Sequence, residues 1–185
     1  PLDLFISEYG EGGGTNRYLE IYNPYGAAAS LDGYFIGSVG NAPTNPGQFE
    51  YTDSFTSGAS IAPHDVHVVC DPSADADILA ECDETSWQYL SNGNDAYCLL
   101  KGAPTGYDYM DCIGDFDSDP GGSGWDVCGV PGATQDRTLV RKANADTVAA
   151  ATAAASAGGS PSGALWAYTS SASTCQWEIY PSDTL

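Results

Sequence analysis

The fold is decided by a short alternating stretch, Arg17-Tyr18-Leu19-Glu20-Ile21-Tyr22, which ends at Asn23-Pro24. Leu19 and Ile21 share one side of an extended chain, and the residues between and beside them share the other. Aromatic and β-branched residues favour strands, and proline interrupts them. The stretch therefore predicts a strand whose apolar side faces a core, where burial of Leu19 and Ile21 contributes about 1.5–3 kcal/mol each.

Similar short runs, separated by Gly, Pro, Asn and Asp, occupy most of the chain. A glycine-rich tip at 11–14 joins the first two runs as a hairpin. A series of short strands with turn signals between them is typical of an all-β sandwich or barrel. The predicted strands are 2–9, 17–22, 34–39, 48–52, 67–70, 96–100, 111–113, 138–141 and 176–180.

One segment differs from this pattern because residues 147–157 are nearly all Ala with Thr and Ser. Alanine favours helix, and the following Gly158-Gly159-Ser160-Pro161 is a plausible stop. The segment has no amphipathic stripe, however, so a low-complexity loop fits equally well. We expect a loop with a short helical turn.

The charge is strongly acidic: 25 Asp and Glu against five Lys and Arg give a formal net charge of −20. Nucleic acids and anionic membranes both require clustered basic residues, and the one basic cluster is Arg137, Arg141 and Lys142. Because no apolar stretch approaches the ~20 residues that span a bilayer, membrane insertion is not expected either.

Six cysteines contain no C-x-x-C pair, and both histidines precede all of them, so a zinc site is not indicated. An even number without metal spacing favours disulfides and hence a secreted or cell-surface protein, whereas buried free thiols in a cytosolic protein are the alternative. Six cysteines allow 15 pairings. Cys70 with Cys82 and Cys98 with Cys112 are favoured because each closes a short loop; the remaining cysteines are Cys128 and Cys175.

Several segments of the chain share a recognisable order. The first three are 5–9, 17–24 and 31–34, and the later ones are 62–69, 92–100, 111–116, 122–127, 136–142 and 177–184. The first three resemble the opening of a lamin-tail domain, and the later ones resemble the bacterial extracellular members of that family. The resemblance implies an immunoglobulin-like β-sandwich over 1–185, as a single domain with an Ala/Ser/Gly-rich insertion at 147–174, and binding, scaffolding or surface display, often beside secreted hydrolases. The cysteines are not part of the family pattern.

An acidic loop suggests calcium. Asp115, Asp117 and Asp119 occupy positions 1, 3 and 5 of an EF-hand-like loop, and Asp126 occupies position 12. Pro120 stands where such a loop needs glycine, position 12 is not Glu, and flanking helices are not predicted. A structural turn is therefore the alternative to a calcium site, and no cofactor is required.

No catalytic centre is expected. His64 and His67 are the only histidines, and there is no Gly-x-Ser-x-Gly nucleophile motif. Twenty-five acids always offer carboxylate pairs for glycoside hydrolysis, but nothing selects one pair. The sequence therefore predicts a protein that is not an enzyme.

Aromatic residues give the remaining binding candidates. Trp125 and Trp177 are predicted to fill the core. Trp166, beside Tyr168 in a Ser-rich loop, is expected to be exposed and to bind a partner.

Three functions compete. The first is a non-catalytic extracellular structural or adhesive module that assembles with copies of itself, with the strand at 2–9 pairing with the open sheet edge of a neighbour. The second is a calcium-dependent module that binds surface glycans, and the third is an accessory part of a secreted hydrolase.

Overall fold

The computed structural model describes residues 3–90, 92–143 and 160–184. The described residues form mostly strands, with two short helices. The strands are β1 Phe5–Glu11, β2 Arg17–Tyr22, β3 Ala29–Ser30, β4 Tyr34–Val39, β5 Tyr51–Ser54, β6 Ser60–Ile61, β7 Val66–Cys70, β8 Ala96–Ala103, β9 Gly106–Ile113, β10 Arg137–Arg141 and β11 Trp177–Pro181; the helices are α1 Ala76–Leu79 and α2 Pro161–Ser170.

Two antiparallel sheets build the molecule. One has the strand order β11-β10-β1-β2-β7, the other has the order β5-β4-β8-β9, and β3 pairs with β6 as a small ribbon. The predicted strands at 17–22 and 34–39 have the observed bounds. The strand predicted at 48–52 is Tyr51–Ser54 instead, because Gln48 belongs to a turn, with its amide bonded to the Asn45 carbonyl at 3.1 Å.

The core lies between the two sheets. Leu19 and Ile21 are both fully buried, as their alternation predicts. Across the core, the rings of Tyr9 on β1 and Tyr97 on β8 lie 6.2 Å apart. The prediction of an all-β sandwich is confirmed.

A buried ion pair joins the sheets. Asp111 of β9 accepts hydrogen bonds from Arg141 of β10 and from the amide of Ile6, the latter at 3.0 Å. The Arg141 Nε donates to the Ile6 carbonyl at 3.2 Å, and its guanidinium lies 3.9 Å from the centre of the Trp177 ring. Both charged residues are under 10% exposed, so each depends on the other to offset the cost of leaving water.

The two short-loop disulfide predictions, Cys70–Cys82 and Cys98–Cys112, are confirmed. The third bond joins Cys128 to Cys175. The alternative of free thiols is wrong, since no cysteine is unpaired in the described residues, which contain all six.

Helix α2 corrects two predictions about the region 147–174. Ser160 caps the helix by accepting from the Gly163 amide, and Pro161 fits the first turn, so residues that were predicted to lie in a loop are helical. Trp166 is only 5% exposed, with its ring 6.4 Å from that of Trp177. The prediction that Trp166 is exposed is therefore wrong. The Ala-rich stretch 147–157 lies outside the described residues.

The strand predicted as a donor to a neighbouring molecule also differs from expectation. β1 is the central strand of its sheet and is paired with β10 on one side and β2 on the other. Both of its edges are therefore occupied within the chain. Within the described ranges, no helix is long and apolar enough to cross a membrane.

Candidate binding groove

A groove of about 560 Å³ lies on the outer face of the five-stranded sheet. Because Leu19 and Ile21 face the core, their neighbours Tyr18 and Glu20 face outward and line it. Glu20 is paired with Glu8 on β1 and with Val68 on β7, and paired residues share a face. Three adjacent strands therefore supply the floor.

Gly10 gives the groove its shape. It is paired with Tyr18, and a side chain at Gly10 would overlap the Tyr18 ring. Without one, the Tyr18 ring lies across β1, and its hydroxyl donates to the Glu8 carboxylate and sits 3.1 Å from the Thr184 carbonyl oxygen. A glycine in a strand interior often marks such a close approach.

The far wall is built by the chain that follows β7. The Cys70–Cys82 disulfide holds this chain, and α1 places the buried Ile78 against the groove. The Asp83 amide donates to the Val68 carbonyl at 2.9 Å. The outer edge of β7 is therefore covered, and Glu81 and Asp83 stand at the rim.

The lining combines apolar and acidic side chains, since Glu8 and Glu20 share the floor with Val68 and further carboxylates stand at the rim. Its carboxylates number five, and no basic side chain contributes to it in the described part of the chain; the five are Glu8, Glu20, Asp65, Glu81 and Asp83. Ser7 donates to Glu20 at 2.7 Å. Burial raises the pKa of Glu8, and the nearby negative charge of Glu20 raises it further, although the hydrogen bond from Tyr18 lowers it. The groove is therefore built to attract a cation.

The raised pKa of Glu8 predicts a substitution whose effect on stability depends on pH. An ionised carboxylate with a raised pKa lowers the free energy of unfolding, and this cost appears as the pH rises above the unfolded-state value of about 4.3. Glu8→Gln is expected to raise the free energy of unfolding at pH 7 by roughly 0.5 kcal/mol, a small effect because Glu8 is only half-buried and is screened by solvent, and to have no effect near pH 3. Urea denaturation at both pH values measures the difference.

Glu50 provides a control of opposite sign. Hydrogen bonds from Thr44 lower the pKa of Glu50, so its contribution to stability is present at neutral pH and is lost as the pH falls. Glu50→Gln should therefore destabilise the protein at pH 7. If Glu8→Gln were also destabilising at pH 7, the ionised Glu8 would be a stabilising group, contrary to the interpretation given above.

Three of the four predicted calcium ligands accept hydrogen bonds from nearby backbone amides, and Asp117 takes part through its own amide. Asp115 accepts from the Asp117 amide at 3.0 Å, Asp119 from the Gly121 amide at 2.8 Å, and Asp126 from the Gly132 amide at 3.0 Å. Among the described residues, no three His, Cys, Asp or Glu side chains are grouped so that they would hold a metal ion. The structure thus does not bring Asp126 together with the other three.

The predicted binding aromatics are also placed elsewhere. Trp166 belongs to the core, and Tyr168 is half-buried on α2, where its carbonyl accepts from the Thr174 hydroxyl at 2.5 Å. The sequence did indicate that Tyr18 and Glu20 share a face. It carried no signal that residues near 8, 65 and 81 lie beside them.

Comparisons with protein-family models, with curated proteins and with solved structures find no match. The resemblance to lamin-tail domains stays a prediction. The class that the fold and the groove define is therefore a disulfide-bonded all-β sandwich with an acidic groove on one sheet.

Proposed function

We propose that this protein is a non-catalytic extracellular adhesive module that holds a basic segment of a partner protein in the acidic groove. The observation that carries the proposal is a lining that combines five carboxylates with Val66, Val68 and Ile78, without a base among the described lining residues. Charge complementarity steers such a partner and excludes acidic ones. The three disulfides are compatible with an extracellular location.

The side chains that line the groove suit a segment whose own side chains alternate between apolar and basic. The groove offers Val66, Val68 and Ile78 to apolar side chains, while the acidic rim offers salt bridges to lysine or arginine. A peptide in extended conformation presents these two kinds of side chain on opposite faces. The rigid sheet beneath the groove keeps its shape before binding, which lowers the ordering cost of association.

The test uses a decapeptide that alternates Lys and Leu, with calorimetry at 50 and 300 mM NaCl. We expect binding that weakens with salt. The double variant Asp65→Asn/Glu81→Gln removes two exposed rim charges and should weaken binding by about threefold to tenfold. A peptide that alternates Glu and Leu should not bind.

A matched control removes the same net charge elsewhere. Asp108 and Asp117 are both exposed and lie outside the groove lining, so Asp108→Asn/Asp117→Asn should leave the peptide affinity close to that of the parent protein. Equal losses in the two double variants would show that the peptide responds to net charge alone, and the groove would then not be the binding site.

Self-assembly stays a prediction. The strand predicted to donate has both edges occupied, and a net charge of −20 makes copies repel one another at low salt. Sedimentation velocity over a range of salt concentrations tests it, because screened copies would associate as the salt rises.

A further inference from the structure

A second concave site lies at an edge of the sandwich and shares no lining residue with the groove. It is a cleft of about 310 Å³ between the end of β4, the start of β5 and the segment before β8. Its mouth carries Tyr51 and Tyr89, which are 43% and 47% exposed. Two exposed tyrosines in one cleft are unusual for a soluble surface, where large apolar side chains are generally scattered.

The two tyrosine rings stack face to face and leave one outer ring face open to a ligand. Their ring centres lie 4.5 Å apart, and the ring planes differ by 14°. Tyr51 is fixed by β5, whose register pairs it with Ser38 of β4. The stacked pair therefore presents an ordered aromatic surface at the mouth, without waiting for a ligand to arrange it.

The floor contains an unsatisfied hydroxyl. Ser38 is 2% exposed, and its Oγ has no hydrogen-bond partner among the described residues. Ser38 is paired with Tyr97 of β8 as well as with Tyr51, so its side chain shares their face of the sheet. Leaving a buried hydroxyl unpaired costs about 1–3 kcal/mol, so a partner that reaches it restores that energy.

Neighbouring groups decide the charge of the ligand. Glu50 accepts from the Thr44 amide at 2.9 Å and the Gly40 amide at 3.3 Å, while Asp95 accepts from the Asn41 amide at 2.8 Å. Both carboxylates are thus engaged by the protein.

The unsatisfied hydrogen-bonding group that lines the cleft is therefore uncharged, namely the Ser38 hydroxyl. Two carboxylates nearby repel an anion. A ligand with many hydroxyls and an apolar ring face can stack on the tyrosine pair and hydrogen-bond to the Ser38 hydroxyl. Binding sites commonly combine an aromatic wall with a few convergent polar groups.

We propose that this cleft binds a neutral saccharide, with one pyranose ring stacked on the outer face of the Tyr51–Tyr89 pair and its hydroxyls directed to Ser38. The site uses none of the four predicted calcium ligands, so binding is independent of calcium. It is also separate from the groove, and either site can fail without affecting the other.

The test measures binding of cellohexaose, mannohexaose and chitohexaose by saturation-transfer NMR and calorimetry, in the presence of EDTA. At least one of the three is expected to bind. Tyr51→Ala and Tyr89→Ala should each weaken that binding by about tenfold. Tyr180→Ala removes an exposed tyrosine outside the cleft and should leave binding unchanged.

Ser38→Ala provides a readout that a purely structural serine would not give. Removing an unpartnered buried hydroxyl should maintain or raise the melting temperature while weakening saccharide binding by about threefold. A lowered melting temperature would assign the hydroxyl a structural partner and overturn its role in the site.

Three other results would overturn the proposal. They are failure of all three hexasaccharides to bind, unchanged affinity in both tyrosine variants, and binding of hexagalacturonate in preference to the neutral sugars. Competition by the alternating Lys and Leu peptide would assign the cleft to cations instead and would equally contradict the saccharide site.

Discussion

Arg141→Met is expected to lower the free energy of unfolding by about 3–5 kcal/mol, the largest effect of any substitution considered. The variant keeps most of the side-chain volume against Trp177 but leaves the Asp111 carboxylate buried without its cation. It also removes the donors to the Ile6 carbonyl and to Gln176. Since domains of this kind are stable by about 5–15 kcal/mol, urea denaturation should show a much earlier midpoint.

The double variant Asp111→Asn/Arg141→Met separates loss of charge balance from loss of packing. With both charges gone, no uncompensated ion remains in the core, and the carboxamide introduced by Asp111→Asn still offers an oxygen to the Ile6 amide. At least half of the stability lost in Arg141→Met should return. A double variant as unstable as the single one would mean that packing and hydrogen bonds of Arg141, rather than the charge of Asp111, dominate.

Removal of the Cys128–Cys175 disulfide is expected to produce the second-largest loss. The bond links residues 47 apart in sequence. Closing a loop of that size lowers the conformational entropy of the unfolded chain and so raises the free energy of unfolding by about 4 kcal/mol. The bonds Cys70–Cys82 and Cys98–Cys112 close loops of 12 and 14 residues' separation, for which the same relation gives about 3 kcal/mol. Paired Cys→Ala variants of each bond, compared by urea denaturation, measure the difference.

The comparison is least affected by packing for Cys128–Cys175 and Cys70–Cys82, although Cys70 is itself fully buried. Cys98 and Cys112 are fully buried, so their alanine variants lose packing as well as the crosslink. Cys128→Ala/Cys175→Ala should therefore be less stable than Cys70→Ala/Cys82→Ala. The reverse order would indicate that the native surroundings of each bond, and not the unfolded chain, set its contribution.

The strands could be predicted because their sequence signals are local. The stretch 17–22 alternates over its whole length, and proline follows soon after it, so both its bounds and its buried face agree with the structure. The helix α2 was missed because its Ser, Thr and Gly content is typical of a loop. The signal that identifies it is the pair Ser160-Pro161 read as a cap and first turn, instead of as a stop for the preceding segment.

The binding sites could be predicted only in fragments. The alternation at 17–22 places Tyr18 and Glu20 on the outer face, but the groove also needs Glu8 and the chain after β7, which only the sheet order brings together. In the stacked Tyr51–Tyr89 pair, Tyr51 lies on an edge strand and Tyr89 lies in a segment without regular structure. No periodic pattern links such residues. The acidic loop at 115–119 led to a calcium prediction because its carboxylates stand at alternate positions, but such carboxylates accept from backbone amides in turns equally well.

The central place of β1 has a consequence for how the chain matures. During synthesis β1 leaves the ribosome well before its partner β10, since Tyr9 lies opposite Leu139 in the finished sheet. Contacts so distant in sequence form slowly, typically in roughly milliseconds to seconds for all-β proteins. Until then the β1–β2 hairpin has an unpaired edge. Emergence of β10 is therefore the step that lets the larger sheet close around β1, and truncation before β10 should leave a chain prone to aggregate.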